Sequence, residues 1–452
     1  MQRSRGWHRD LREMAQVAAP IVLINVGIQA MGVVDAIMVG KLGGAAIAAV
    51  ALGNFYFFNV SVFGIGLLFA IDPVVSQAFG AGDYTAAARG VQRGLLLAVA
   101  VTVVVTLALM PGEWVLGVLQ QPADVVRETA VYTRRRALGA LPFFIFAVFR
   151  QTLQAMGPVR PVIIAALVAN LVNAAANWLL IFGNLGFPQL GVAGSGYATA
   201  ISTWLMMLLV LPLAWPLLRD MLRPWHPESH RWGPLWRMMR IGIPIGIQWF
   251  FESFAFGLTA LFMGWMGTAS LAGHEIALNM AAMTFMVPLG ISGAASAVVG
   301  RAIGRGDLPS ARRDAAAAIV CGVGFMCISA IIFMAFPHQL ATLYTHEVAT
   351  VTVAVALIPL AGWFQVFDGL QAVTSGVLRG TGDTRVPAVL HMIAFWGVGI
   401  PLGAWLGFRT PLRERGLWIG LVAGLAAAAV LQSLRVIWRM RGELRRVVID
   451  HH

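Results

Sequence analysis

A carboxylate inside an apolar run is the first feature of this chain that could do chemistry. Ile241 to Gly267 reads IGIPIGIQWFFESFAFGLTALFMGWMG and holds one acid, Glu252. A run of about 20 apolar residues is long enough to cross a bilayer. A charge near its middle costs roughly 2.5 to 3.5 kcal/mol on insertion scales, and a residue kept at that cost reads as an ion, proton or substrate site. Helical spacing puts Gln248 one turn before Glu252 and Thr259 two turns after it, so one polar stripe faces inward. Two further acids sit in similar surroundings: Asp35 in MGVVDAIMVG, and Asp368 in FQVFDGLQAV with Gln365, Gln371 and Ser375 on its helix face. Asn170, Asn173 and Asn177 recur on one face of another apolar segment. Such amides either join a polar site or hydrogen-bond neighbouring helices. Asp72, before Pro73, and Glu275, after His274 near a span end, read as structural or interfacial. Trp249, Phe250, Phe251 and Phe254 either line a cation pocket or face lipid and core.

The elements that must position these residues are membrane helices. Of 452 residues, 59% are hydrophobic and only 12% charged, against roughly 25% charged in soluble domains. Twelve hydrophobic segments are expected, at about 14–38, 46–79, 88–111, 128–156, 160–184, 191–217, 238–266, 270–303, 313–336, 350–379, 384–408 and 415–440. An even count puts both termini on one side, and the arginine clusters mark that side as cytoplasmic. They lie in the N-terminal arm, at Arg89 and Arg93, at Arg150 and Arg160, in the 218–237 connector, from Arg301 to Arg313, at Arg379 and Arg385, and from Arg435 to Arg446. Arg134, Arg135 and Arg136 go against this pattern. The net charge of +12 is spread in short clusters beside apolar runs, a placement that topology explains without a nucleic-acid partner. The first apolar run is too long for a signal-peptide core and reads as an uncleaved helix.

The chain also repeats itself. Subtracting 224 takes Pro244 to Pro20, Gly264 to Gly40 and Gly267 to Gly43, and it lays GRGDLPSARR on GAGDYTAAAR. With one residue of slippage, Leu378, Gly382 and Arg385 fall on Leu153, Gly157 and Arg160. Six spans per half give both halves the same orientation, a parallel repeat, with the cavity expected between them. The expected organisation is therefore all-α: an N-terminal six-helix lobe at 1–217, a cytoplasmic connector at 218–237, and a C-terminal six-helix lobe with a basic tail at 238–452.

Enzyme motifs are mostly absent. The single lysine, Lys41, is followed by Leu42, so no GxxxxGK[ST] phosphate loop exists. HEIAL at His274 lacks the second histidine of a zinc protease motif, and no cofactor is implied. Cys321 and Cys327, six apart in one segment, read as two buried thiols on different helix faces.

GKLGGAAIAAVAL after span one, AIDPVVSQAFGAGD in span two, the pair LQAMGPVRP and LRGTGDTRVP, and LAGHEIALN in span eight together resemble the multidrug and toxic compound extrusion (MATE) transporters, NorM branch. The resemblance covers nearly the whole chain. It implies a secondary antiporter of the bacterial cytoplasmic membrane, a monomer in contact with lipid, that exports organic cations and other drugs in exchange for Na⁺ or H⁺. It implies ion or substrate roles for Asp35, Glu252 and Asp368, and for Asn177 as the family's span-five asparagine. The residues themselves add Asn173, Gln248 and Gln371 to that set, with Glu252 and Asp368 holding the metal if the ion is Na⁺. NorM-type members often carry tyrosine just before the tenth-span acid, where this chain has Phe367. Three rival readings are open. The loop GAGDYTAAARG lacks the GxxxD[RK]xGRR pattern of major-facilitator transporters. A lipid-linked precursor flippase would carry more basic cavity residues and extra spans. A prenyl-transferase-like enzyme would pair its aspartates.

Overall fold

A computed structural model describes residues 6–118 and 123–450. Among them twelve helices are long and apolar enough to cross a membrane: α1 Trp7–Gly40, α2 Gly44–Gly80, α3 Tyr84–Leu109, α4 Val125–Met156, α5 Arg160–Phe182, α6 Val192–Leu213, α7 Trp232–Met266, α8 Thr268–Gly304, α9 Leu308–Ala335, α10 Val348–Gly380, α11 Arg385–Arg409 and α12 Glu414–Arg441. The described residues hold no strand. The fold is an all-α membrane protein, as composition and periodicity require. Apolar side chains such as Val104, Leu107, Leu171, Ile328 and Ile331 stand exposed on helix surfaces. Bands of that kind suit lipid rather than water.

The sequence repeat has a backbone counterpart at the helix joints. Gly82 and Gly306 both take positive φ, 73° and 74°. The next residue in each repeat is an aspartate in nearly the same conformation, Asp83 at φ −90°, ψ 75° and Asp307 at φ −92°, ψ 76°. Each carboxylate accepts a hydrogen bond from the backbone N–H three residues on, Ala86 at 3.0 Å and Ser310 at 3.1 Å. Glycine supplies the left-handed turn and aspartate the N-cap.

The helices gather into two compact units. The C-terminal unit comprises Met1–Val22, Gly80–Gly82 and Ile247–Val447, and the N-terminal unit Leu23–Phe79, Asp83–Gly246 and Val448–His452. The borders therefore fall inside α1 and α7, two residues after the repeat-related Pro20 and Pro244. A proline within a helix removes one backbone hydrogen bond and weakens the ladder there. The 218–237 connector, expected as the divide, lies wholly within the N-terminal unit. Its backbone is tied to α3: buried Gln92 donates to the Met221 and Pro224 carbonyls at 3.2 and 3.0 Å and accepts from the His226 N–H and Ser229 hydroxyl at 2.9 and 2.8 Å. The chain's end joins the same place. Asp450 pairs with Arg89 at 3.0 Å and Arg93 at 2.6 Å, and Arg237 donates to the Ile449 carbonyl at 2.8 Å.

Within the C-terminal unit α10 is central, packed along α8, α9 and α12. The core there is Phe364, Phe395, Trp418, Leu421 and Leu425 with smaller residues between. In the N-terminal unit α5 lies along α6, while α4 packs on α2, α3 and α6. Cys327 is exposed and Cys321 half-buried, and both are free thiols. The expected burial of both is thus corrected, because α9 turns the Cys327 face outward.

Candidate functional site

In the N-terminal unit three helices converge on Asp35, which is 1% exposed on α1. Asn177 of α5 donates to Asp35 Oδ1 at 2.7 Å and Asn173 donates to the same oxygen at 3.1 Å. Thr199 of α6 donates to Oδ2 at 2.7 Å. Asn173 and Asn177 are four apart, so one face of α5 serves both bonds. Asn170, the third amide of the stripe, turns instead to the Gly27 and Ala166 carbonyls, each at 2.8 Å. It is a helix-packing residue. Three donors around one buried carboxylate compensate its lost hydration and fix its orientation.

Next to this cluster stands Tyr132, fully buried, whose hydroxyl donates to Asn54 Oδ1 at 2.9 Å and accepts from Arg136 at 3.0 Å. The Arg136 guanidinium lies 4.3 Å from the Phe57 ring centre, and its charge acts on Asp35. Arg135 lies over Tyr197 at 5.3 Å, and Arg134 pairs with Glu113 at 3.2 Å. The three arginines that oppose the topology pattern are therefore engaged by aromatic faces and an acid of their own unit.

The C-terminal unit holds the other two acids. Asp368, 6% exposed on α10, is close enough to Glu252 of α7 for the charges to act on one another. Neither is paired with an arginine or lysine among the described residues, whereas Asp383 is held by Arg435 at 2.7 Å. The group facing Glu252 is His391 of α11, with Nε2 at 3.4 Å from Oε2. Gln371, expected on the Asp368 face, bonds the His391 ring at 3.2 Å and Ser375 at 3.3 Å. Gln365 is occupied by the Thr284 and Ser329 hydroxyls, both at 2.7 Å. Gln248 is buried one turn before Glu252, and Thr259 bonds the Ala255 carbonyl. Of the aromatic residues beside Glu252, Phe251 and Phe254 meet Trp396 of α11 at 5.8 and 5.7 Å, and Phe250 and Phe254 are exposed.

Asp35 and the Glu252–Asp368 pair belong to different units. Asp72 opens the restarted segment of α2 at Ile71, where an acid suits the helix N-terminus. Glu275 is exposed on α8. No group of three or more His, Cys, Asp or Glu side chains that could hold a metal ion occurs among the described residues. Any bound cation would need amide and hydroxyl oxygens as well. Thr199 and His391 were not singled out from sequence, and Arg136 was marked there only as an exception to the charge pattern. A small polar series, Ser195, Thr199, Ser202 and Thr203, was the readable sign for the first. The others needed the helix pairings.

The chain is similar to known proteins over nearly its whole length. The MatE family model matches residues 20–179 and 244–405, two stretches whose starts differ by the same 224 residues as the internal repeat. The chain is similar to the probable multidrug resistance protein NorM of Mesorhizobium japonicum, 36% identical over 96% of this chain and 95% of that one. It is 37% identical to the multidrug resistance protein NorM of Burkholderia vietnamiensis, covering 94% of each. It is also 33% identical to the multidrug resistance protein PmpM of Pseudomonas aeruginosa, covering 97% and 93%. Among solved structures, a eukaryotic MATE transporter, AtDTX14, shares the fold with a TM-score of 0.88 at 23% identity, over 96% of both chains. An outward-facing multidrug resistance MATE family transporter shares it at 0.83 and 20%, also over 96% of both.

Proposed function

Because the chain belongs to the MatE family, we propose that it is a secondary multidrug efflux antiporter of the bacterial inner membrane, exporting organic cations and other drugs in exchange for Na⁺ or H⁺. The observation that carries the reading is the Glu252–Asp368 pair. Two acids lie together in a membrane helix unit with no arginine or lysine paired to either. A carboxylate of that kind can be neutralised by a proton, by Na⁺ or by a lipophilic cation, and their mutual exclusion is what couples them. Phe251, next to Glu252 in the chain, meets Trp396 of α11 at 5.8 Å, so the helices that carry Glu252 and His391 also carry aromatic rings of the kind an organic cation favours. Asp35, with Asn173, Asn177 and Thr199, offers a second oxygen-rich site for the coupling ion. If the ion is Na⁺, Glu252 and Asp368 are ligands in the C-terminal unit, with backbone or amide oxygens completing the shell.

The protein works as a monomer embedded in lipid, with both termini in the cytoplasm, a topology supported by the arginine clusters at even-numbered connections. Expression in a pump-deficient bacterium tests the reading. Resistance to ethidium and to fluoroquinolones is expected to rise. Glu252→Gln and Asp368→Asn should each abolish the gain while the protein stays in the membrane at its normal level. Full resistance in both variants would remove the pair from the mechanism.

A further inference from the structure

We propose that His391 is a positioning residue for the C-terminal acid pair, holding the Glu252 carboxylate so that one of its oxygens is presented to cation. The proposal rests on the transport reading above. Gln371 Nε2 carries only hydrogens, so at 3.2 Å it makes His391 Nδ1 an acceptor. The ring proton is then on Nε2, which lies 3.4 Å from Glu252 Oε2. That nitrogen is fully buried and has no settled hydrogen bond of its own, so the Glu252 carboxylate is the acceptor open to it. A buried donor left without a partner costs free energy, which biases Glu252 toward the ring.

The ring is held from two further sides. It stacks on Phe395 with centroids 4.6 Å apart and planes at 23°. Gln371 is itself tied through Ser375 to Gln432, the Ser375 hydroxyl donating at 2.8 Å. The chain of contacts Gln432, Ser375, Gln371, His391, Glu252 thus joins α12, α10, α11 and α7 of one unit. His391 lies two residues before a π-helical stretch, Ile393–Gly399, which also carries Trp396. Such stretches occur often at functional sites, because the extra residue per turn re-aims side chains. With Oε2 turned to His391, Oε1 is the oxygen left for the cation. An N–H cannot donate a lone pair, so His391 orients the acid and does not itself ligate an ion.

Binding of tetraphenylphosphonium to the purified full chain at one fixed pH tests this. His391→Phe keeps an aromatic ring for Phe395 but has no N–H. Its Kd is expected to rise about tenfold, at the low end of what a hydrogen bond to a charged group contributes. His391→Gln loses the ring but keeps an N–H donor, and it is expected to bind close to the wild-type level. A packing role predicts the reverse order. Wild-type binding by His391→Phe, or equal loss in both variants, overturns the proposal. Absence of binding and of efflux in the wild-type protein would instead sink the transport reading, leaving the two failures distinct.

Discussion

At the scale of single residues, the two acid sites differ in how their charge is accommodated. Asp35 is met by three donors and stands near Arg136, whereas Glu252 has one long contact to His391 and Asp368 feels the Glu252 charge. The first arrangement holds a carboxylate in one orientation, and the second leaves acids open to exchange. Thr199→Val removes the 2.7 Å donor to Asp35 Oδ2 while keeping the side-chain volume. A hydrogen bond to a charged group contributes about 1.5 to 3 kcal/mol. The apparent KM for the coupling ion should therefore change roughly tenfold or more, read from efflux rates at graded ion concentrations. Asn170→Leu touches only the Gly27 and Ala166 carbonyls, so it should alter stability and leave that KM in place. The acids themselves were legible in sequence because charge in an apolar run is costly. Their partners were not, because Thr199, Arg136 and His391 lie on other helices and nothing local marks which faces will meet.

At the scale of elements, the helix joints and crossings depend on small residues. The Asp83 and Asp307 caps each hold an orphan N–H at a helix start. Asp307→Ala is expected to cost about 1 kcal/mol, seen as a lower melting temperature in detergent. The Ser310 hydroxyl and amide hold the Asp307 carboxyl below the usual carboxylate range. With its folded value depressed, the cap contributes above the ordinary carboxylate range and is lost as pH falls through that lowered value. The difference between wild type and Asp307→Ala should accordingly shrink in acid, and only modestly matter overall, since the group is largely solvated. At the α11–α12 crossing a Cβ on Gly420 would collide with the Gly403 backbone. Gly420→Val should cost roughly 1 to 3 kcal/mol or more, whereas Gly257→Ala meets nothing within 4 Å and should hold the melting temperature. Helix number was readable from apolar run length, but α1, α7 and α9 begin earlier than expected, at Trp7, Trp232 and Leu308, because their opening turns hold polar or basic residues. The Gly82 and Gly306 joints were readable from the repeat of GAGD and GRGD. The unit borders inside α1 and α7 were not, since a proline within an apolar run does not tell which neighbours each part will pack against.

At the scale of the whole molecule, the account requires that ion movement and drug movement share carboxylates. Exchange of one monovalent drug cation for one monovalent ion moves no net charge. Membrane potential, worth about 2.3 kcal/mol per charge per 100 mV, then assists only when more ions enter than drug charges leave. The central claim is that Glu252 and Asp368 carry this exchange, and reconstitution tests it most directly. Ethidium efflux from proteoliposomes is followed after imposing a Na⁺ gradient or a pH gradient separately, for the wild-type chain and for Glu252→Gln. The account predicts efflux driven by at least one of the two gradients in the wild type and none in the variant. Equal gradient-driven efflux by Glu252→Gln would contradict it.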